Sequence, residues 1–244
     1  MRIGLVGKGK MGNEIIKVAS GLHLEVASVF DIGDIINEET TKQVDVFIDF
    51  TSKDAFLNNL QLLLACEKPL VVGTTGWYEQ MEYVRNAVEN ASGTLLYASN
   101  FSLGVQLYFR IVSEASRLID PFSNFDVVIS EAHHTAKLDY PSGTAIQMAN
   151  RVMEMVKRKK KVLTDLTQGK AVGKDDLVVS SLRVGSTIGE HTLLLDSEYD
   201  EIKLTHRAKN RTAFAEGAIV AAKWLVQKRG FFSFDDFIND RLKS

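Results

Sequence analysis

A glycine-rich turn near the start of the chain constrains its fold more than any other stretch. Residues 2–6 form a short apolar run typical of a buried strand, and Gly7, Gly9 and Gly12 follow directly. The next segment repeats apolar residues at helical spacing. In this setting the first glycine makes a tight turn, the second lets a pyrophosphate approach, and the third lets helix and strand pack closely. The stretch therefore predicts a Rossmann-type dinucleotide-binding fold.

An acidic residue closes the second predicted strand. That strand covers residues 24–30, and Asp31 follows at the distance where an acid binds the adenosine ribose hydroxyls, although a strand-end Asp can also lack a ligand. A 2′-phosphate at this place would meet a like charge, and Ile32 offers no cation to offset it. Lys8 or Lys10 could supply one from the glycine turn. The sequence therefore predicts that NADH is used at least as well as NADPH, with a lean towards NADH.

The N-terminal part of the chain alternates strictly between strand-like and helix-like segments. Further strands are predicted at residues 44–50, 69–73 and 94–98, and helices at 53–66 and 78–90. Such alternation favours an α/β fold with a parallel, doubly wound sheet. Ligands of these sheets bind beyond the carboxyl ends of the strands, where the chain has a small turn at residues 73–76.

The alternation then ends, which predicts a second domain. A helix at 104–118 precedes a strand at 125–130, a helix at 145–156, strands at 177–184, 192–196 and 201–205, and a helix at 213–227. Because these later strands are not separated by helices, we predict a smaller α+β domain with a mixed or mostly antiparallel sheet. We place the dinucleotide-binding domain at residues 1–101 and 212–244, and the substrate-binding domain at 102–211.

Residues 130–145 gather chemically active side chains into what we interpret as a strand-to-helix loop. The loop holds His133, His134 and Lys137, and ends in a Pro-Ser-Gly-Thr turn whose serine can cap the next helix. The free N–H groups of that helix form an anion site, and the glycine allows close approach to the backbone. Any one of these residues fits an ordinary polar loop. Together they indicate a small anionic substrate that needs a proton.

Composition narrows the classes of partner. The chain has 244 residues and a formal net charge of −2, which gives no reason to expect nucleic acid. We find no apolar run long enough for a membrane span and no signal peptide, so a cytoplasmic location is the default expectation. A single cysteine, Cys66, excludes an internal disulfide and a cysteine-based metal cluster, and no metal site is predicted. The basic block at residues 157–161 is interpreted as a solvated helix end.

Motifs along nearly the whole chain resemble those of the dihydrodipicolinate reductase family. They are G-x-G-x-M-G at 7–12, D-F-T at 49–51, G-T-T-G at 73–76, A-S-N-F-S at 98–102, E-A-H-H at 131–134, K-x-D-x-P-S-G-T-A at 137–145, Arg183 with G-E-H at 189–191, and R-x-x-F-A-x-G-A at 211–218. The stretch from 131 to 145 is far more specific than the glycines.

The resemblance implies an NAD(P)H-dependent reductase that acts on 4-hydroxy-tetrahydrodipicolinate, a cyclic dicarboxylate, in diaminopimelate and lysine biosynthesis. It implies that His133 is the proton donor or its positioner and that Lys137 is the second catalytic group. His134, Gly143 and Thr144 would hold the substrate's carboxylates. Besides Asp31, the implied cofactor-binding residues are Gly7, Lys8, Gly9, Lys10, Met11, Gly12, Gly73, Thr74, Thr75, Ala98, Ser99, Asn100 and Phe101. A homotetramer assembled through the sheet of the second domain is also implied.

The chain departs from the family pattern at three places, one of which is Ile32, where relatives that use NADPH often have Arg. Lys10 stands where the family usually has Arg, and the stretch from Asp31 to Val44 is short, so the second helix of the nucleotide domain is expected to be reduced or missing. Two alternatives share the predicted fold: another two-domain NAD(P)-dependent dehydrogenase acting on an amino or sugar acid, and a non-catalytic nicotinamide-binding protein. The complete set of histidines, lysine and threonine argues against both.

Overall fold

The computed structural model describes residues 1–243, which divide into two compact units. The first unit comprises Met1–Gln106 together with the chain from Arg211 onward, and the second comprises Leu107–Asn210. Within residues 1–243, no helix combines the length and the apolar character that crossing a membrane requires.

The N-terminal part of the first unit alternates strands and helices. Its elements are β1 (Arg2–Val6), α1 (Lys10–Gly21), β2 (Glu25–Phe30), β3 (Val46–Asp49), α2 (Lys53–Ala65), β4 (Leu70–Val72), α3 (Met81–Asn90) and β5 (Thr94–Tyr97), with a 3₁₀ turn at Tyr78–Gln80. The connection from β2 to β3 contains turns and no helix, which confirms the expected shortening of the nucleotide domain.

The second unit is built around a mixed sheet. Its elements follow in the order α4 (Leu103–Ile119), β6 (Asp126–His133), α5 (Gly143–Met155), β7 (Lys161–Leu163), β8 (Asp176–Arg183), β9 (Glu190–Asp196) and β10 (Glu201–Arg207), with the start of α4 belonging to the first unit. The strand order is β10-β9-β6-β8-β7; β6, β8 and β7 run parallel, and β9 is antiparallel to both β6 and β10. The predicted mixed sheet is therefore confirmed.

The C-terminal elements complete the first sheet. They are α6 (Thr212–Leu225), β11 (Gly230–Ser233) and α7 (Phe234–Lys243). The sheet has the order β11-β5-β4-β3-β1-β2, and every neighbouring pair is parallel. Neither β11 nor α7 was predicted from the sequence. A four-residue edge strand such as β11 is too short for its periodicity to be recognised.

Helices cover both faces of the parallel sheet. Val46 and Ile48 face the layer formed by α1, α6 and α7, whereas Phe47, between them, faces α2 and α3. This alternation follows from the two-residue period of a strand. Because the strands are parallel, the turns after β1, β3, β4 and β5 all lie at one edge of the sheet, where such folds bind their ligands.

The basic block at residues 157–161 is only in part the solvated helix end that was predicted: Lys157, Lys160 and Lys161 are exposed, but Lys159 is buried. α5 has already ended at Met155, and Lys159 is only 3% exposed. Its ammonium donates to the carbonyls of Lys174 and Asp176 and lies 2.6 Å from an Asp126 carboxylate oxygen. The charge can be buried here because it is both paired and hydrogen-bonded.

Candidate active site

The main polar cluster begins within β6 rather than on the loop after it. Assigning all of residues 130–145 to a loop was wrong for Glu131 and His133, which belong to the strand. Buried positions alternate along β6, so these two side chains share one face of the sheet. Across the neighbouring strands, His191 lies opposite Glu131 and Arg183 lies opposite His133. The sheet register therefore assembles the cluster.

The imidazole of His133 is oriented by a buried carboxylate. Its Nδ1 hydrogen-bonds to Oε2 of Glu131, whose side chain has no exposed surface. Burial opposes ionisation of Glu131, but the nearby Ser181 hydroxyl and hydrogen bonds with Arg183 and His133 outweigh it and hold the pKa of this carboxyl below its usual value. A carboxylate can only accept hydrogen bonds, so Nδ1 carries the proton and Nε2 is the ring atom left for a ligand.

Both buried imidazoles of the cluster are neutral near pH 7. Burial lowers the pKa of His133 by more than the neighbouring Glu131 raises it. Burial, together with repulsion from His133, lowers the pKa of His191 to about 4. A dianionic ligand close to His133 would favour the protonated ring. The site can therefore gain a proton as an anionic substrate binds and give it up during a reaction.

The loop after β6 carries Lys137 and begins with the half-buried His134. Lys137 Nζ lies 2.7 and 2.8 Å from the two carboxylate oxygens of Asp139. Arg183 donates to Glu131 Oε1 at 3.0 Å and to the carbonyl of Lys137 at 3.2 Å. Both predicted catalytic side chains thus sit on one hydrogen-bonded frame.

The start of α5 is capped as predicted. Ser142 Oγ accepts a hydrogen bond from the Ala145 N–H at 3.2 Å and lies 3.0 Å from His191 Nε2. Gly143 and Thr144 come directly after the cap, so their N–H groups have no acceptor within the helix. Gly143 is exposed and Thr144 is half-buried. Two N–H groups at a helix start suit a bound carboxylate.

Glu131, His133 and His191 also resemble a set of metal ligands. One ligand atom of each lies within 4.8 Å of the others. However, the Arg183 guanidinium already bonds the carboxylate, and the hydrogen bond from His133 accounts for the close approach of the two side chains. A neighbouring cation disfavours a metal ion. We therefore interpret the set as an acid–base cluster.

In the first unit, the glycine turn has the geometry of a dinucleotide site. Gly7 has a φ of +93°, and a Cβ on Gly12 would lie 2.2 Å from the Gly7 carbonyl oxygen. Nothing lies within 4 Å of a Cβ on Gly9, which leaves room for a phosphate. A cavity of about 530 Å³ opens here and is lined in part by Lys8 and Asp31. These residues fit a bound nicotinamide dinucleotide. Two further predicted cofactor residues, Lys10 and Met11, form the first turn of α1.

Sequence reasoning gave no role to five polar residues that line this cavity, which are Asp34, Thr51, Ser52, Asn58 and Asn59. Asp34 accepts a hydrogen bond from the Asp31 N–H at 2.7 Å, and Asn58 and Asn59 line the cavity from α2. Two adjacent asparagines on a helix are a visible signal, but whether they reach the cavity depends on how α2 packs on the sheet.

A larger cavity, of about 720 Å³, lies elsewhere in the first unit. It is lined by residues 37–42 and 65–68, apart from residue 40, near the amino ends of β3 and β4. Ligands of parallel sheets bind beyond the carboxyl ends of the strands. We therefore assign the cofactor to the smaller cavity beside the glycines.

The buried side chain of Asp49 supports the predicted turn after β4 through hydrogen bonds. The Asp49 side chain is buried at the end of β3 and accepts hydrogen bonds from Thr74 Oγ1 at 2.6 Å and Thr51 Oγ1 at 2.8 Å. Burial raises the pKa of Asp49 despite these hydrogen bonds. The hydroxyl of Thr74 therefore supports the turn, whereas Gly73 is half-buried and Thr75 is exposed.

The predicted residues after β5 differ in what they offer a ligand. Ala98 and Phe101 are buried in the core, so any cofactor contact there would involve their backbone. Ser99 is exposed and Asn100 is half-buried. Asn100 Oδ1 accepts the N–H of Ser102 at 2.9 Å, which shapes the turn.

Comparisons with known proteins agree on one family. The model for the N-terminus of dihydrodipicolinate reductase matches residues 1–101, and the model for its C-terminus matches residues 104–238. A 4-hydroxy-tetrahydrodipicolinate reductase of Christiangramia forsetii is 34% identical over 245 residues, covering 100% of both chains. One from Archaeoglobus fulgidus is 33% identical over 261 residues, covering 98% of this chain and 100% of the relative.

Solved structures support the fold. The dipicolinate-bound dihydrodipicolinate reductase from Paenisporosarcina sp. TG-14 has a TM-score of 0.76 at 24% identity, covering 97% of this chain and 98% of that one. An engineered D-amino acid dehydrogenase bound to NADP⁺ reaches only 0.53 at 10% identity, covering 96% and 92%. Other dehydrogenases thus share the architecture alone. Since both halves match one family and full-length relatives exceed 30% identity, the chain belongs to the dihydrodipicolinate reductase family of NAD(P)H-dependent oxidoreductases.

Proposed function

We propose that this protein reduces 4-hydroxy-tetrahydrodipicolinate to tetrahydrodipicolinate with a reduced nicotinamide dinucleotide, in diaminopimelate and lysine biosynthesis. The observation that carries the proposal is the frame that joins Glu131, His133, Arg183 and Lys137. It offers a proton donor and cationic groups, which a dicarboxylate undergoing reduction requires. Membership of the family supports the same reaction.

When bound, the cofactor would supply a hydride to the substrate ring, and the overall reaction consumes that hydride and a proton and releases the 4-hydroxyl group as water. Hydride addition leaves negative charge on the conjugated nitrogen system, and a proton or a cation must neutralise it. We assign His133 Nε2 as the proton donor or its positioner and Lys137 as the second catalytic group. His134 and the N–H groups at Gly143 and Thr144 would hold the two carboxylates.

The direct test is NADH oxidation with substrate made freshly from aspartate semialdehyde and pyruvate. We expect turnover that stops when either precursor is omitted. Turnover on an amino or sugar acid instead would favour a different dehydrogenase. Cofactor binding without any turnover would favour the non-catalytic alternative.

We predict that NADH is used at least as well as NADPH because Asp31 lines the cavity beside the glycine turn, where an acid at the end of the second strand would meet the adenosine ribose. Its carboxylate can accept hydrogen bonds from both ribose hydroxyls but would repel a 2′-phosphate. Asp31→Ala should lower kcat/KM for NADH by roughly 10-fold, as expected for lost hydrogen bonds to a charged group, and spare or improve kcat/KM for NADPH. The measurement compares both cofactors in wild type and variant.

Asp34→Ala serves as the control for this prediction, because Asp34 supports the backbone of the same turn. A general loss of turn structure should weaken both cofactors alike. If wild type strongly prefers NADPH, or if Asp31→Ala weakens both cofactors equally, Asp31 is not the discriminating residue.

We predict that Thr144→Val raises KM for the dicarboxylate more than KM for the cofactor. Thr144 follows the cap of α5, where a hydroxyl and an N–H group can both donate to a carboxylate. Losing a hydrogen bond to a charged group should raise KM by roughly 10-fold. Thr164→Val, at an exposed site of the same unit, is the matched control. Equal rises in both KM values would indicate a folding defect instead.

We also propose that the sheet of the second unit builds a homotetramer. Leu193 and Leu195 are buried within the unit, whereas Leu194 lies half-buried on the opposite face with Val128 beside it in the register. Sedimentation should show a tetramer for wild type and smaller species for Leu194→Glu, since a charge would be costly in an apolar contact. Leu166→Glu, at a 68% exposed position, is the control. A monomeric wild type at micromolar concentration would reject the proposal.

A further inference from the structure

Arg183, at the end of β8, uses nearly all of its N–H donors in hydrogen bonds within the second unit. Its Nη1 donates to Glu131 Oε1 at 3.0 Å and to the carbonyl of Leu182 at 2.6 Å. Its Nε donates to the carbonyl of Lys137 at 3.2 Å, and its Nη2 donates to that of Asp139 at 2.7 Å. A guanidinium has five N–H donors in a rigid fork, so four of the five are already used.

Through these bonds Arg183 is connected to both predicted catalytic residues, His133 and Lys137, although it hydrogen-bonds to neither of their side chains. On one side, Arg183 fixes the carboxylate that orients His133. On the other side, it holds the backbone of Lys137 and Asp139, the two residues whose side chains form an ion pair. The residues joined in this way lie 46 and 52 positions apart in the chain. One side chain therefore links the carboxylate that orients the acid to the backbone that carries the cation.

We propose that Arg183 is a positioning residue for the reduction, holding His133 and Lys137 in register with one guanidinium; this rests on the proposed function. The fork geometry is essential to the role. A lysine keeps the charge, but its three donors radiate from one nitrogen, whereas the acceptors around Arg183 are met by three separate nitrogens of a planar fork.

Direct binding of the substrate by Arg183 fits the structure less well. A residue that grips a substrate carboxylate must present a free pair of N–H groups to it. The Arg183 side chain is 21% exposed and retains one N–H beyond the four in use. Its bonds therefore serve the frame.

The positive charge of Arg183 also affects the pKa of His133, which can be measured. His133 is faced by Glu131 on its own strand, by His191 on β9, by Lys137 on the loop and by Arg183 on β8. Burial lowers the pKa of His133, Glu131 raises it, and the two cations lower it further. Removing the guanidinium charge also leaves the Glu131 carboxylate unshared. Both changes should raise the pKa of His133.

The experiment compares the variants Arg183→Gln and Arg183→Lys with Arg158→Gln, a substitution of a matched arginine. Arg158 is suited as the control because it donates to two backbone carbonyls, those of Asp120 and Phe125, just before β6 begins. It is similarly buried, with 25% of its side chain exposed. The readouts are kcat, KM for each substrate, the melting temperature, and the pKa of His133 by NMR titration of the ligand-free protein, assigned with His133→Asn.

We expect kcat to fall roughly 10- to 100-fold in both Arg183 variants, because small misplacements of reacting groups are costly. KM for the cofactor should stay unchanged. The pKa of His133 should rise in Arg183→Gln and stay near the wild-type value in Arg183→Lys, which keeps the charge. Arg158→Gln should leave kcat and the pKa of His133 as they are.

Three outcomes would overturn the proposal: wild-type kcat in Arg183→Lys, an equal loss of kcat in Arg158→Gln, or an unmoved pKa of His133 in folded Arg183→Gln. If Arg183→Gln does not fold, the kcat of Arg183→Lys and the recovery of Arg183→Ala activity by added guanidinium decide the question. Failure of the proposed function is distinguishable, since it would abolish wild-type turnover without affecting the titration of His133.

Discussion

Alanine in place of His133 or Lys137 is expected to reduce kcat by roughly 10²-fold or more, the usual cost of losing an acid–base group. His133 has one ring nitrogen committed to Glu131, which leaves Nε2 for the reacting ring. Lys137 lies on the loop fixed by Arg183 and brings a positive charge. Neither side chain belongs to the glycine turn, so cofactor affinity should hardly change.

Steady-state kinetics give kcat, and fluorescence titration gives cofactor affinity without turnover. His23→Asn and Lys170→Ala are suitable controls because both positions are exposed and lie outside the polar cluster. Asn is chosen at His23 because the residue has a φ of +53°, which Asn tolerates. Wild-type turnover in both His133→Ala and Lys137→Ala would refute the assignment. A parallel loss of cofactor affinity would indicate a folding defect.

The part of the site that could be predicted from the sequence is the part that is local in the chain. The glycine turn, the Ser142 cap and the His133–Lys137 stretch each lie within a few residues. Glu131 offered a signal that was overlooked: the pattern Glu131-Ala-His133 continues the alternation of β6. Recognising it would have moved both residues from the loop onto the strand.

The rest of the site depends on sheet register, which local patterns do not specify. His191 reaches Ser142 across 49 positions, and Arg183 reaches Lys137 across 46. Their positions depend on how β9 and β8 pair with β6, since a one-residue slip would turn each side chain to the other face. The family resemblance picked out both residues but assigned them no role.

Substitutions in the glycine turn are the second case in which we expect a large effect, here on stability and on cofactor affinity. Gly9 and Gly12 are required for different physical reasons. A Cβ on Gly12 would lie 2.2 Å from the Gly7 carbonyl oxygen, so Gly12→Ala must displace backbone. This strain should cost about 1–3 kcal/mol of stability. Gly9 has nothing within 4 Å of a Cβ and a φ of −74°, which alanine adopts freely. Gly9→Ala should therefore fold normally and lose cofactor affinity alone.

We expect Gly9→Ala to weaken NADH binding by roughly 10-fold or more, since a methyl group would occupy the space through which the pyrophosphate approaches. Its melting temperature should match that of wild type, whereas Gly12→Ala should lose both stability and affinity. Gly21→Ala, near the end of the same helix and equally open, should change neither. Titration of the ligand-free protein and thermal unfolding supply the two measurements. We assign the pyrophosphate to this turn because of the open space beside Gly9. If Gly9→Ala bound NADH as tightly as wild type, the pyrophosphate would have to lie elsewhere.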